Sequence, residues 1–331
     1  MIDATLASNM NLRHLRTFVV VADAGGFAAA SAKLNLSQPA ASRQIQALEA
    51  DLRVMLFDRI GRRVHLTSEG DDLLRRSRLL LAEADSLAER ARALEKGEKG
   101  ILRVGATPQV IENTLAPFLG PYRRRHSGVE VHLIEDGGNR LPARLRDGDI
   151  QLVLTAVFHD LQQRPLYPVY AVGVAAKSHR LGRRRTIDVG DLREEPLLVL
   201  DRTFLSREWL DVACSAAHIR PRVILESRAA HTIIALAAEG HGVAVVPSTV
   251  AIQDGRVRGA PLTQRGSAIG RWLTVGWDPQ RFLARYAEHF VAELIAYCRR
   301  THPGREFLRH APQLPRPKEP AGTTAKAYPA R

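Results

Sequence analysis

Apolar residues recur at helical spacing through the first fifty positions, and the rhythm then changes twice. Leu12, Leu15, Val19 and Ala22 share one face of a helix that Gly25 and Gly26 end. Residues 27–34 are short, Ala-rich and again helical, and Asn35-Leu36 makes a tight turn. Ser37 is a good N-cap for a third helix running to Leu52, with Ala41, Ile45, Leu48 and Leu52 facing inward. Pro39 falls in its first turn, where backbone N–H groups have no intrahelical partner to lose. Residues 55–67 then predict two short strands around Gly61-Arg62. With Thr67 or Ser68 as cap, a long helix follows from Ser68 to Lys96, and Leu73, Leu74, Leu80, Leu81, Leu87 and Leu94 are among its apolar positions. At about 1.5 Å per residue it spans roughly 40 Å. A long exposed helix with such a stripe needs a partner, and a second copy of itself is the simplest.

From Ile101 the pattern alternates strand and helix. Strands are predicted at 101–106, 129–135, 150–157, 171–176, 196–200, 221–226 and 243–247. Helices are predicted at 108–122, 140–146, 204–217 and 229–239, with a closing helix over 280–300. Such alternation predicts an α/β domain with largely parallel sheets. From His302 the chain is rich in Pro, Gly, Ala and Lys/Arg, so 302–331 is expected to be a disordered tail.

Charge and motifs narrow the function. The 331 residues carry 48 Lys+Arg against 35 Asp+Glu, a net charge of +13 that attracts polyanions, nucleic acid foremost. Arg-rich composition also follows from GC-rich coding, so charge alone does not decide. The two cysteines, Cys214 and Cys298, form no CxxC pair, which predicts neither a disulfide framework nor a zinc site and suits a reducing cytosol. No leader pattern and no stretch of about 18 apolar residues is found, so a cytoplasmic location is expected and no membrane partner. No GxSxG, HExxH, P-loop or dinucleotide fingerprint occurs, so no catalytic residue, metal or cofactor is expected. The chain is expected not to be an enzyme.

The first three helices have the makings of a DNA reader. In a helix-turn-helix the second helix of the pair enters the major groove with its N-terminal residues against base edges. Here that end is Ser37-Gln38-Pro39-Ala40-Ala41-Ser42-Arg43. Gln38 can pair with adenine and Arg43 with guanine, while Ser37 and Ser42 can hold phosphates or bases. Arg59, Arg62 and Arg63 crowd the hairpin tip as a wing over DNA. The competing interpretation is an Ala-rich helical bundle with a polar surface.

These residues resemble the DNA-binding end of LysR-type transcriptional regulators. The resemblance rests on Phe18, the AA…L…SQPAxS…I…LE core at 29–49, LFxR at 56–59 and LTxxG at 66–70. It covers roughly the first 70 residues closely; EDGGNRLPARLRDGDIQLVL and AAEGHGVAVVPS match the family's effector domain more loosely, in the right order. Gln151 departs from the pattern, standing where an Asp is usual, and the tail is longer than usual. The resemblance implies an α/β protein: an N-terminal winged helix-turn-helix (10–68), a linker and dimerisation helix (69–97) and a two-lobed, periplasmic-binding-protein-like effector domain (101–300). Lobe I would be 101–163 with 270–300, and lobe II 164–269. It further implies that Gln38, Pro39, Ser42 and Arg43 meet the major groove, that Arg59 lies in the wing, and that the partners are promoter DNA, a second copy of the chain as dimer or tetramer, and RNA polymerase.

An effector between the lobes would sit outside the C-terminal ends of strands, where helix N-termini point at it. Four places fit: Thr107 with Gln109, Thr155, Thr203 with Phe204, and Ser227. Hydroxyls, an amide and helix N-termini suit a small anion; each Thr and Ser can equally be only an N-cap. Two rivals to the ligand-responsive regulator are an enzyme and a solute-binding protein on the same two-lobed scaffold, without regulatory DNA binding.

Overall fold

The structure is a computed structural model that describes residues 11–60, 63–96, 100–156 and 160–317. The chain divides into two compact units, one of residues 1–92 with 146–149 and the other of residues 93–145 with 150–331.

The N-terminal unit begins with three helices: α1 (Leu12–Ala24), α2 (Phe27–Leu34) and α3 (Gln38–Leu52). The antiparallel hairpin β1 (Phe57–Ile60) and β2 (Arg63–Leu66) follows, then the 29-residue α4 (Ser68–Lys96). The buried face of α1 is Leu15, Phe18 and Val21, whereas Leu12, on one face with Leu15 by its spacing, is 46% exposed because the first turn lies past the core. Phe18 packs edge-on against Phe57, so the first helix and the wing share one core. A buried carboxylate, that of Glu49 at the end of α3, accepts hydrogen bonds from the N–H groups of Leu56 (2.8 Å) and Phe57 (3.4 Å) and fixes where the wing departs. Thr67 is the residue that caps α4: its hydroxyl accepts from Gly70 N at 2.8 Å and donates to Met55 O at 2.7 Å. Ion pairs Arg16–Asp85 (2.9 Å) and Arg78–Asp23 (2.6 Å) tie α1 to α4.

The second unit is built on one 11-stranded sheet. Its strands are β3 (Gly100–Ala106), β4 (Val129–Glu135), β5 (Leu152–Ala156), β6 (Gln162–Ala176), β7 (Ile187–Asp188), β8 (Pro196–Leu200), β9 (Arg222–Ser227), β10 (Val243–Pro247), β11 (Val257–Gln264), β12 (Ser267–Ala268) and β13 (Gly270–Trp277). After β3 a continuous helical stretch runs through α5 (Pro108–Val110), a π-helical turn (Ile111–Leu115) and α6 (Ala116–Arg125). The remaining helices are α7 (Leu141–Arg146), α8 (Leu205–Ala216), α9 (Ala230–Ala238) and α10 (Arg285–Arg300). The main path of the sheet is β4-β3-β5-β13-β6-β10-β8-β9. Parallel pairing, expected for most of the sheet, holds on the flanks, but the centre is antiparallel: β6 pairs antiparallel with β13, β10 and β11, and β13 with β5.

The two lobes meet along β6. Its residues 162–170 pair with β13, and 171–176 pair with β10 and β11. The lobe boundary therefore lies at Tyr170/Ala171, later than the expected 163/164. The return crossing lies beside it, with Ala171 N donating to Ile269 O at 2.8 Å. Lobe I has a core around Phe118, Tyr122 and Phe290, and lobe II has two, one around Leu197 and Val199 and one around Val172 and Ile233. Gln151, the departure from the family pattern, accepts from Arg103 N at 2.7 Å and so ties the start of β5 to β3.

The expected disorder of the tail does not hold for 302–317. This segment carries a 3-10 turn (Arg305–Arg309), buries Phe307 in a lobe II core and packs Leu314 against it. Two apolar anchors offset a composition that otherwise favours disorder. Residues 318–331 lie outside the described residues, as does Arg62 of the wing.

Candidate functional site

Two places in the chain hold the residues singled out by the sequence. The first is the surface end of α3. Ser37 caps the helix, its side chain accepting from Ala40 N at 3.3 Å. Gln38, Pro39 and Arg43 are exposed and Ser42 half-buried, while Ala41, Ile45 and Leu48 of the same helix are buried. The core therefore grips one face of α3 and presents the other. Among the described residues, neither Gln38 nor Arg43 has a side-chain hydrogen-bond or ionic partner, so both are available to a ligand. Behind them, the Thr17 hydroxyl of α1 donates to Gln44 Oε1 at 2.5 Å and fixes the angle between α1 and α3. Arg59 and Arg63 lie directly on the two strands of the hairpin, at positions flanking its turn.

The second place is a cleft between the lobes. It measures about 50 Å³ as a cavity and about 460 Å³ counting its open mouth. Thr107, Gln109, Gly138 and Thr155 line it from lobe I, and Phe204, Ser206, Trp209 and Thr249 from lobe II. Trp272 and Leu273 of β13 complete the wall. No lining side chain is charged. Two helix starts open onto it, after Thr107 and after Phe204, and neither cap residue uses a side-chain cap bond. Gln109 is 3% exposed, and its Oε1 is fully buried with no hydrogen-bond partner among the described residues. A buried acceptor left unmade costs about 1–3 kcal/mol, so this atom calls for a donor from whatever fills the cleft. Thr155 is buried and already donates to Gly138 O at 3.2 Å.

Four of the six residues expected at the effector site thus meet in the cleft: Thr107, Gln109, Thr155 and Phe204. Thr203 and Ser227 are not in its lining. The Thr203 hydroxyl is held by Asp201, and its carbonyl accepts from Asn139 N at 3.3 Å across the lobes. Ser227 instead closes a local turn, its Oγ accepting from Ala229 N at 3.1 Å. Both are taken by their own loops, the capping alternative weighed for such junctions. Sequence reasoning missed Trp272, Thr249 and Ser206. Trp272 stands on a strand that the periodicity did not reveal, and Thr249 lies two residues past the end of a strand that it did.

The two cysteines are buried in different cores, Cys214 on α8 and Cys298 on α10. Burial disfavours the thiolate and pushes Cys214 up to about 11 and Cys298 up to about 12. At neutral pH both are therefore thiols, poor targets for peroxide. A thiol reagent such as Ellman's is expected to label neither in the native chain within minutes and both after unfolding. Rapid native labelling of either would contradict this placement.

Comparison with known proteins converges on one family. Residues 12–71 match the bacterial regulatory helix-turn-helix protein, lysR family, and residues 95–299 match the LysR substrate binding domain. An uncharacterised HTH-type transcriptional regulator of Escherichia coli (strain K12), YnfL, is 30% identical over 294 residues, 87% of this chain and 98% of its own length. A probable hydrogen peroxide-inducible genes activator of Streptomyces viridosporus is 32% identical over 290 residues, 86% of this chain and 93% of its own length. Among solved structures, full-length CbnR complexed with its target DNA superposes with a TM-score of 0.61 at 26% identity, covering 88% of this chain and 99% of that one.

Proposed function

The chain belongs to the LysR family of transcriptional regulators, with a DNA-binding head and an effector-binding domain and no enzymatic role, and from that premise we propose how its own residues serve the two tasks. Gln38, Pro39, Ser42 and Arg43 enter the major groove, with Ser37 at the phosphate beside the helix start and the arginines of the hairpin over the flanking backbone. The target is promoter DNA, and the protein acts in the cytoplasm, where that DNA is. Among the described residues no helix is long and apolar enough to cross a membrane. The dimer or tetramer forms through α4, on which Leu80 and Leu87 are 45% and 70% exposed at a spacing of seven. An effector in the cleft changes the angle between the lobes and, through the oligomer, the spacing of the heads and their approach to RNA polymerase. This works only if the effector binds the two arrangements with different affinity.

The observation that carries the effector assignment is the orphaned Oε1 of Gln109. It needs a donor, while the two helix starts favour a negative charge. A small hydroxycarboxylate meets both demands, and a cavity of about 50 Å³ keeps it small. A thermal-shift comparison of lactate with propanoate tests this, because the two differ by one hydroxyl. Lactate is expected to raise the melting temperature and propanoate to do so by less. In Gln109→Leu the difference is expected to vanish and the ligand-free chain to be no less stable, since the unpaired amide is gone. Equal shifts from both acids in the wild type would sink the assignment. The name of the Streptomyces viridosporus relative, a probable hydrogen peroxide-inducible genes activator, suggests oxidant sensing as a second role, but the buried Cys214 and Cys298 thiols argue against it.

A further inference from the structure

The segment after α10 lies beyond the family match, which ends at residue 299, yet it is packed against the line where the lobes meet. His302 stacks on Tyr167 of β6 with ring centroids 4.7 Å apart and 5° between planes. Gly304 has φ of 79° and lies on Ser248, where an added Cβ would come within 2.8 Å of both its side chain and its carbonyl. Ser248 is itself a crossing residue: its Oγ accepts from Tyr170 N at 3.1 Å and its N–H donates to Tyr170 O at 2.8 Å. Phe307 enters a lobe II core that includes Tyr170 and Val172. The chain then returns to the other crossing. Leu314 packs over Gly270, where an added Cβ would lie 3.0 Å from its side chain. Leu314 O accepts from Trp272 Nε1 at 3.3 Å, and the Arg316 guanidinium lies 5.6 Å from the centre of the Trp272 ring.

We propose that residues 302–317 form a strap that makes a third link between the lobes and positions Trp272, the cleft's wall on β13, so that affinity for the effector depends on a segment outside the family domain. The strap starts from α10 in lobe I, anchors Phe307 in lobe II and ends on β13, so a change of lobe angle must either carry the strap or peel it. Trp272 is in contact with the cleft on one side and with the strap through its indole N–H. Leu314 and Arg316 are positioning residues, acting on a ligand only through Trp272. The link to an effector rests on the cleft being the effector site, but the docking of the strap does not.

The test uses the full chain with Trp209→Phe and Trp277→Phe, which leaves Trp272 as its one tryptophan. Leu314→Asp is added to undock the end of the strap, and separately Gly304→Ala to lift its start from Ser248. Each is expected to raise acrylamide quenching of Trp272 by about twofold and to speed hydrogen exchange in 302–317 and 270–273, with exchange in 102–104 and 197–199 unchanged. Without those tryptophan changes, both variants are also expected to lower the melting-temperature rise that lactate gives. The proposal is overturned if 302–317 exchanges in the wild type as fast as an unstructured peptide, or if a variant frees the strap and Trp272 quenching stays at its starting value. Quenching and exchange are read without ligand, so failure of lactate to bind would count against the cleft assignment and leave the strap to be decided on its own.

Discussion

Arg43→Ala is expected to weaken binding to the protein's target site by about 10- to 100-fold, the equivalent of losing one bidentate arginine–guanine contact. Arg43 is exposed and, among the described residues, unpartnered, so its removal takes nothing from the core of the head. The loss should therefore appear in DNA affinity with the thermal unfolding curve unmoved. It should also concentrate at one base pair, so that binding to unrelated DNA falls far less. Arg43→Lys keeps the charge but loses the planar two-pronged geometry, and it is expected to recover non-specific affinity more than specific affinity. Titrating labelled target and shuffled duplexes with the three proteins separates these outcomes. Equal loss on both duplexes would mark Arg43 as a phosphate contact only.

Gly70→Ala is expected to cost the head about 3 kcal/mol, at the upper end for an overpacked site. The added Cβ would meet Leu56 O at 2.2 Å and Leu56 C at 3.0 Å, and backbone cannot step aside as a side chain can. The Leu56 carbonyl is also pinned, since it accepts from Thr67 N at 3.1 Å while Leu56 N is held by Glu49. The junction of wing and long helix therefore has no slack. Gly120→Ala is the matched control: it is also helical, nothing lies within 4 Å of its added Cβ, and it should be neutral or slightly stabilising. Denaturant unfolding of both variants followed by circular dichroism checks the pair. Equal behaviour would mean that the Leu56–Gly70 contact is not what makes glycine necessary.

The head was legible because several levels of its sequence agree. Helical spacing, the Ser37 and Thr67 caps, the Gly25 stop and the signature residues all point to one arrangement. The cleft was half legible. Thr107, Gln109, Thr155 and Phe204 could be found because each lies at the end of a strand or the start of a helix. Trp272 could not, since GRWLTVGW lacks the alternation of a half-buried strand. The long β6 was recognised only at 171–176, because Pro165 and Pro168 argue against a central strand. The structure accommodates them with a bulge: Leu273 pairs with Tyr167 and the next residue, Thr274, with Pro165. Composition misled for 302–317, where Phe307 and Leu314 were the signal within an otherwise polar, proline-bearing stretch.

Whether the exposed end of α3 reads DNA sequence is decided by footprinting the purified protein on the DNA upstream of its own gene across a salt series, with Arg43→Ala alongside. A protected pseudo-palindromic site is expected, its affinity falling steeply with salt, by about a thousandfold or more between 50 and 200 mM if some six or more phosphates are contacted. The variant is expected to lose this protection. No protected site there or on genome-wide fragments, with Arg43→Ala indistinguishable from the wild type, would contradict sequence reading by α3.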